Sequence, residues 1–82
     1  MYELILQGKP ERFLKKLDKL NQERIIRKLE ELKNNPKLGK PLTGNLAGLW
    51  SLRIGDCRAI YQIKKSELLV LVLKIGHRKD IY

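Results

Sequence analysis

Residues 49–63 read LWSLRIGDCRAIYQI and have the pattern of a β-hairpin. Two mostly apolar runs, Leu49 to Ile54 and Cys57 to Ile63, flank the dipeptide Gly55-Asp56. Glycine and aspartate are typical of tight turns, and an apolar run on each side of such a turn is typical of a β-hairpin. The stretch therefore predicts two antiparallel strands joined by a short turn.

The same pattern continues toward the C-terminus. Lys64-Lys65-Ser66 is polar and predicts a second turn. The segment from Glu67 to Ile75 then contains the continuous apolar run of a buried strand. Together these segments predict an antiparallel β-meander.

Upstream of the meander the sequence predicts one more strand and a first amphipathic helix. Tyr2 to Leu6 is short and mostly apolar, and Gly8-Lys9-Pro10 supplies a break with a proline placed to begin a helix. From Glu11 to Leu20 the apolar residues recur three and four positions apart, which is one face of a helix. These residues are Phe13, Leu14, Leu17 and Leu20.

A second helix is predicted to follow directly, with the side chain of Asn21 as its cap. Its apolar stripe runs to the stop at Asn34-Asn35-Pro36 and consists of Ile25, Ile26, Leu29 and Leu32. Residues 37–48 are rich in glycine and proline and show little periodicity, so they are predicted to form a connecting loop.

The predicted helices precede the strands of the meander along the chain, and this order indicates a single α+β domain over residues 1–82. The helix pair is expected on one face of the sheet, with the N-terminal strand added to that sheet. The other face stays partly free. Alternation along the hairpin puts Ser51, Arg53 and Arg58 on the free face, where the two arginines converge.

Charge narrows the class of partner. The chain has 82 residues, a formal net charge of +9 and a pI near 9.9. Self-repulsion in a compact domain favours an anionic partner, with nucleic acid first and acidic protein second. Membrane binding ranks below both, because no stretch approaches the ~18 apolar residues that span a bilayer. Since the N-terminus lacks the layout of a signal peptide, the expected location is cytoplasmic.

No metal and no other cofactor is expected. Cys57 is the sole cysteine and His77 the sole histidine, which are too few ligands for a structural zinc site. The small size of the domain predicts an open surface site instead of a deep cavity.

The segment GHRKDIY, residues 76–82, directly follows the apolar strand and is the first place to look for chemistry. Its side chains transfer protons, bind phosphate or stack on bases, and they include His77, Arg78, Lys79 and Tyr82. Because the segment emerges from a rigid sheet, these groups are expected to be well positioned.

Two strings in this chain closely resemble the RelE family of toxin–antitoxin toxins. They are LAGLWSLRIGDCRAIY, residues 46–61, and GHRKDIY, residues 76–82. The resemblance covers essentially the whole chain, with the amphipathic helix pair at the front. It implies a small microbial RNase fold that enters the ribosomal A site and cuts messenger RNA there. It also implies a RelB-like antitoxin that wraps around the domain and holds it inactive.

The resemblance implies roles for individual residues. Metal-free cleavage of RNA needs a base for the 2′-hydroxyl, cations for the charge on the phosphorane and an acid for the leaving 5′-oxygen. Arg58 and Arg78 match family positions tied to phosphate stabilisation, and Arg53 falls on a basic family position. Tyr82 matches the C-terminal tyrosine of the family, and His77 is a secondary candidate for either proton transfer.

Ser51 is the clearest departure from the family, because some members carry a lysine implicated in the base role there. A serine does not act as a base near neutrality unaided. Arg53, His77 or a group of ribosomal RNA would have to cover the missing function, so the identity of the base stays open.

Further cations are candidates for RNA binding: Arg53 again, with Lys79, Lys15, Lys19 and Arg27. The competing interpretation is that these charges only solubilise the surface, since acidic residues are interspersed with them along the helices.

The sequence thus predicts a ribosome-dependent mRNA endoribonuclease that inhibits translation as the toxin of a type II toxin–antitoxin system. A ParE-like toxin, which shares the fold and acts on DNA gyrase, is the first alternative. A non-catalytic relative that only binds RNA or protein is the second, and Ser51 makes it credible.

Overall fold

The computed structural model of the protein describes residues 1–80, which form a five-stranded sheet with two helices on one face. The elements in chain order are β1 (Glu3–Leu6), α1 (Gly8–Lys15), α2 (Lys19–Glu30), β2 (Lys40–Pro41), β3 (Leu49–Ile54), β4 (Cys57–Lys64) and β5 (Leu69–His77). Short 3₁₀ turns at Glu31–Lys33, Pro36–Leu38, Gly44–Leu46 and Lys65–Glu67 connect them. The predicted α+β class is confirmed.

The strands are ordered β1-β5-β4-β3-β2 across the sheet. The meander β3–β4–β5 is antiparallel, as predicted, and β1 joins it by pairing in parallel with β5. The turn between β3 and β4 is tight because Gly55 adopts a φ of 59°, a left-handed conformation that glycine tolerates at no steric cost. This turn fixes the register of the hairpin.

The segment 37–48 is not only a loop, and that part of the prediction was wrong. Lys40 and Pro41 form the edge strand β2, which pairs antiparallel with β3 and places Lys40 opposite Ser51. The ladder continues as Leu42 N donates to Leu49 O at 2.9 Å. Proline is tolerated here because an edge strand leaves one row of backbone groups unpaired. Because a lysine and a proline carry no β-strand pattern, the sequence did not predict this strand.

The boundary between the helices also differs from the prediction. Helix α1 already begins at Gly8 and ends at Lys15, and Asp18 caps α2 in place of Asn21. The Asp18 carboxylate accepts hydrogen bonds from Asn21 N at 3.3 Å and Asn21 Nδ2 at 2.7 Å. These bonds, led by that from the Asn21 side chain, hold the pKa of Asp18 below its ordinary value. Two residues of the predicted apolar faces, Leu20 and Ile26, are exposed and take no part in the core.

The hydrophobic core lies between the helices and one face of the sheet. Four residues of the helical segments pack on residues of the strands. The helical residues are Leu14, Ile25, Leu29 and Leu32, and the strand residues are Leu52, Ile54, Cys57, Ala59, Tyr61, Val70, Val72 and Ile75. We call this side of the sheet the helix face. The intervening residues of the strands project to the opposite side, which we call the open face. The sheet therefore has one face covered by the helices, as predicted, and a functional site can form on the open face.

Candidate functional site

Two arginines face each other on the open face, at the end of the sheet nearest the β3–β4 turn. The register pairs Arg53 of β3 directly with Arg58 of β4, as the alternation predicts. A planar guanidinium group binds two phosphate oxygens at once, and two such groups on one face can contact the same phosphate. This pair is therefore a candidate phosphate-binding site.

Arg78 is brought to the same end of the sheet by a backbone contact. β5 ends at His77, and the next amide, Arg78 N, donates to Asp56 O in the β3–β4 turn at 2.9 Å. A further hydrogen bond, from Asp80 N to His77 O at 2.9 Å, closes the turn that follows. The open depression at this end is lined by Asp56, Arg58, His77, Arg78, Lys79 and Asp80. Arg58, Arg78 and Lys79 therefore share one depression, which is shallow and open to the surface.

His77 differs from the arginines in the face of the sheet that it occupies. β5 continues two residues beyond the predicted end at Ile75, and its register pairs His77 with the buried Cys57. The imidazole ring packs edge-on against Phe13 of α1, with the ring centroids 5.8 Å apart. Its ring thus lies on the helix face at the rim of the depression, while Arg53 and Arg58 project from the open face.

Ser51 is buried and precedes Arg53 by two residues on β3, so it lies on the same face in the next row of cross-strand partners. Its partners across the sheet are Lys40 on one side and Ile60 on the other, and Ile60 in turn pairs with Lys74. The row Lys40–Ser51–Ile60–Lys74 thus has a lysine at each end. Neither lysine was predicted to lie here, since a two-residue strand and a displaced register in β4–β5 leave no periodic signal.

The helix cations are distributed unevenly around this end of the sheet. Arg27 lines a depression together with Arg24 and Arg53, which extends the basic surface from β3 onto α2. Lys15 is paired with Glu11 on α1 at 3.3 Å, and Lys19 begins α2. Of the three helix residues predicted to bind RNA, Arg27 is therefore the one that shares a depression with Arg53. The predicted role of Tyr82 lies outside the described residues.

Cys57, whose cross-strand partner is His77, has a structural role. Burial, together with the charge of Asp56, raises the pKa of the Cys57 thiol, which keeps it protonated and unreactive. Within residues 1–80, no group of three His, Cys, Asp or Glu side chains is arranged to hold a metal ion. In the same range no helix is long and apolar enough to cross a membrane.

A buried tyrosine clamps the edge strand β2 to the sheet. The Tyr61 hydroxyl donates to Pro36 O at 2.6 Å and accepts from Gly39 N at 3.1 Å. Tyr61 is fully buried, and its ring stacks on Trp50 with centroids 6.4 Å apart. Burial raises the pKa of the Tyr61 phenol above its ordinary value of 10.0, so the phenol stays protonated and able to donate. We call Tyr61, Pro36 and Gly39 the loop clamp.

Tyr61→Phe is expected to lower the free energy of unfolding by about 2 kcal/mol, because it leaves the Pro36 carbonyl and the Gly39 amide without their partner. Urea unfolding at neutral pH measures the loss. The raised phenol pKa favours the folded state below pH 10.0, and this contribution disappears as the pH rises through the folded-state pKa. The difference in the free energy of unfolding between wild type and Tyr61→Phe should therefore become smaller at strongly alkaline pH.

Tyr2→Phe is the matched control, because the Tyr2 hydroxyl makes no hydrogen bond to residues 1–80. Its stability should stay within about 0.5 kcal/mol of wild type. If Tyr61→Phe were as stable as Tyr2→Phe, the loop clamp would not contribute to the fold.

Comparison with known proteins gives the family. The family model described as the ParE toxin of the type II toxin–antitoxin system parDE matches residues 7–82. The toxin RelG of Mycobacterium tuberculosis is 44% identical over 46 residues, which are 56% of this chain and 53% of that protein. In these matches the chain spans about half the length of the curated relatives.

Solved structures agree along nearly the whole chain. The toxin–antitoxin complex RelBE2 of Mycobacterium tuberculosis contains a chain with a TM-score of 0.86 and 30% identity, over 94% of this chain and 98% of that chain. The isolated E. coli RelE toxin has the same fold, with a TM-score of 0.80 at 20% identity over 94% of this chain and 84% of that chain. The resemblance seen in the two sequence strings is thereby confirmed, and the chain belongs to the RelE family of toxins within the RelE/ParE superfamily of type II toxin–antitoxin systems.

Proposed function

We propose that this protein is a toxin that inhibits translation by cleaving messenger RNA in the ribosomal A site. The observation that carries the proposal is the like-charged Arg53–Arg58 pair on the open face, with Arg78 tied beside it through Asp56 O. An open, strongly basic site suits an RNA strand that is already held by another particle. A free small-molecule substrate would need a more enclosed pocket.

The reaction that suits these groups is attack of the ribose 2′-oxygen on the adjacent phosphorus. The bond from phosphorus to the 5′-oxygen breaks, which leaves a cyclic phosphate and a 5′-hydroxyl. Arg58 and Arg78 would stabilise the charge on the phosphorane, because a planar guanidinium binds two phosphate oxygens at once. Arg53 would assist from across the strand pair, and Lys79 and Arg27 would guide the strand.

The proton transfers are the open part of the mechanism. Tyr82 remains our candidate for orienting the 2′-hydroxyl or shuttling a proton. His77 is at the rim of the depression that Arg58 and Arg78 line, so it would have to act from the side on which it packs against Phe13. A group of ribosomal RNA could also serve as the base, which would explain a requirement for the ribosome.

A RelB-like antitoxin is the proposed partner. The solved complex RelBE2 contains a toxin chain of nearly the same fold together with its antitoxin. The net charge of +9 favours a partner that contributes acidic side chains.

The test is primer extension on a translated message with purified ribosomes, run in parallel with a DNA gyrase supercoiling assay. We expect discrete cuts at A-site codons with wild type, and a loss of about a hundredfold or more with Arg78→Ala, since it removes one of the two phosphate-stabilising guanidinium groups. An intact message would overturn the proposal. Inhibited supercoiling would then favour a ParE-like toxin, and RNA binding without cuts would favour the non-catalytic alternative.

A further inference from the structure

Lys40 occupies a position on the open face that the sequence pattern did not predict. β2 pairs antiparallel with β3, and the register sets Lys40 directly opposite Ser51. Cross-strand partners project to the same face, with Cβ atoms about 4.5–5.5 Å apart. Lys40 therefore lies beside Ser51 on the open face, in the row next to Arg53 and Arg58, and it is exposed.

The backbone that carries Lys40 is held firmly in place. The preceding residue, Gly39, donates to the Tyr61 hydroxyl, and on the other side Leu42 N donates to Leu49 O at 2.9 Å. Gly39 also packs against the backbone of β3 so closely that an added Cβ would overlap Ser51 O. The lysine is thus presented from a fixed main chain, so only its side chain has to be ordered when an anion binds.

The charge of Lys40 is not neutralised within the part of the chain that the structure describes. The ion pairs found between residues 1 and 80 lie on helical segments, as Glu11–Lys15, Lys28–Glu31 and Glu30–Lys33. The row of Lys40 also contains Lys74, and the next row contains Arg53 and Arg58. Cations gathered on one face raise the local concentration of anions there, which favours a polyanionic strand that spans both rows.

The spacing of the rows suits consecutive phosphates. Ser51 and Arg53 are two residues apart on β3, which corresponds to about 6.6–6.8 Å along the strand. Adjacent phosphates of an extended RNA strand are separated by a similar distance. Since Lys40 stands in the row of Ser51, its ammonium can reach the phosphate next to the one held between Arg53 and Arg58.

We propose that Lys40 is a substrate-binding residue of this site and contacts the RNA phosphate adjacent to the one at the Arg53–Arg58 pair. The proposal rests on the function proposed above. β2 thereby supplies the cation that β3 lacks at Ser51. Lys40 is assigned the binding of a phosphate and no proton transfer.

The experiment compares wild type, Lys40→Ala, Lys40→Arg and Lys65→Ala in ribosome-dependent cutting at limiting toxin and several KCl concentrations. Lys40→Ala should cut about tenfold more slowly, the loss of one charge-assisted contact. Its rate should also depend less steeply on salt, by about 0.7 in the log–log slope, because one phosphate contact is missing. Lys40→Arg should retain most of the rate, since a single phosphate contact tolerates either cation.

Lys65→Ala removes the same charge from the exposed turn at the far end of β4, and it should cut like wild type. Urea midpoints of the three variants should equal that of wild type. Cutting by Lys40→Ala at the wild-type rate and salt slope would overturn the inference, and so would a Lys40→Arg protein as slow as Lys40→Ala. If wild type itself did not cut, the proposed function would fail instead, which is a different result.

Discussion

Arg58→Ala is expected to slow cleavage of a translated message by at least about a hundredfold without unfolding the protein. Arg58 lies opposite Arg53 and lines the same depression as Arg78, so its removal takes a positive charge from the place where we propose that the phosphorane forms. Removing one such preorganised group typically costs about 10²–10³ in rate. Single-turnover primer extension on purified ribosomes measures the change.

Arg58→Lys distinguishes the effect of the positive charge on cleavage from that of the guanidinium geometry. Lysine keeps the positive charge but lacks the planar fork that binds two phosphate oxygens, so we expect only partial recovery of the rate. Lys65→Ala serves again as the control for the loss of one charge and should be fully active. Full cutting by Arg58→Ala, at an unchanged urea midpoint, would contradict the role that we assign to this arginine.

The hairpin that carries this site was predictable from sequence alone. β3 begins at Leu49 and ends at Ile54, as predicted, because an apolar run and the Gly55-Asp56 turn bound it on both sides. A short turn fixes the register of a hairpin, and strict alternation then decides which side chains share a face. Both rules are local, so the Arg53–Arg58 pair followed from them.

The surroundings of the pair depend on contacts between distant parts of the chain. Lys40 reaches the site because the loop clamp joins Tyr61 to Gly39 and Pro36, which are 22 and 25 residues away in sequence. No periodic pattern records such a contact. The boundary at Asp18 was missed for a local reason, since Asp18 and Asn21 are both good caps and only the hydrogen bonds distinguish them.

His77 shows how the end of a strand changes an interpretation. The prediction grouped His77 with Arg78 because they are neighbours in sequence. The strand includes Gly76 and His77, however, so alternation still applies and turns the imidazole toward Phe13. The acid–base role of His77 and the substrate-orienting role of Tyr82 both stay predictions.

Gly39→Ala is expected to lower the free energy of unfolding by about 3 kcal/mol, near the upper end of the usual cost of overpacking. The backbone of Gly39 has a φ of −78°, which any residue adopts, so the glycine is needed for space and not for conformation. A Cβ at this position would overlap the main-chain carbonyl oxygen of Ser51 and lie 2.8 Å from the Tyr61 hydroxyl. Neither neighbour is the loose end of a flexible side chain, so β2 has to move away from β3.

Gly8→Ala is the matched control, with the same chemical change and the opposite expectation. A Cβ there lies 3.1 Å from Arg12 Nη1, the end of a flexible side chain, and Gly8 begins α1. Alanine favours a helix, so stability should stay equal or rise by up to about 1 kcal/mol. Urea unfolding compares the two variants, and a Gly39→Ala protein as stable as Gly8→Ala would disprove the close approach. Displacement of β2 also moves Lys40 from Ser51, so Gly39→Ala should cut RNA as poorly as Lys40→Ala while Gly8→Ala stays fully active.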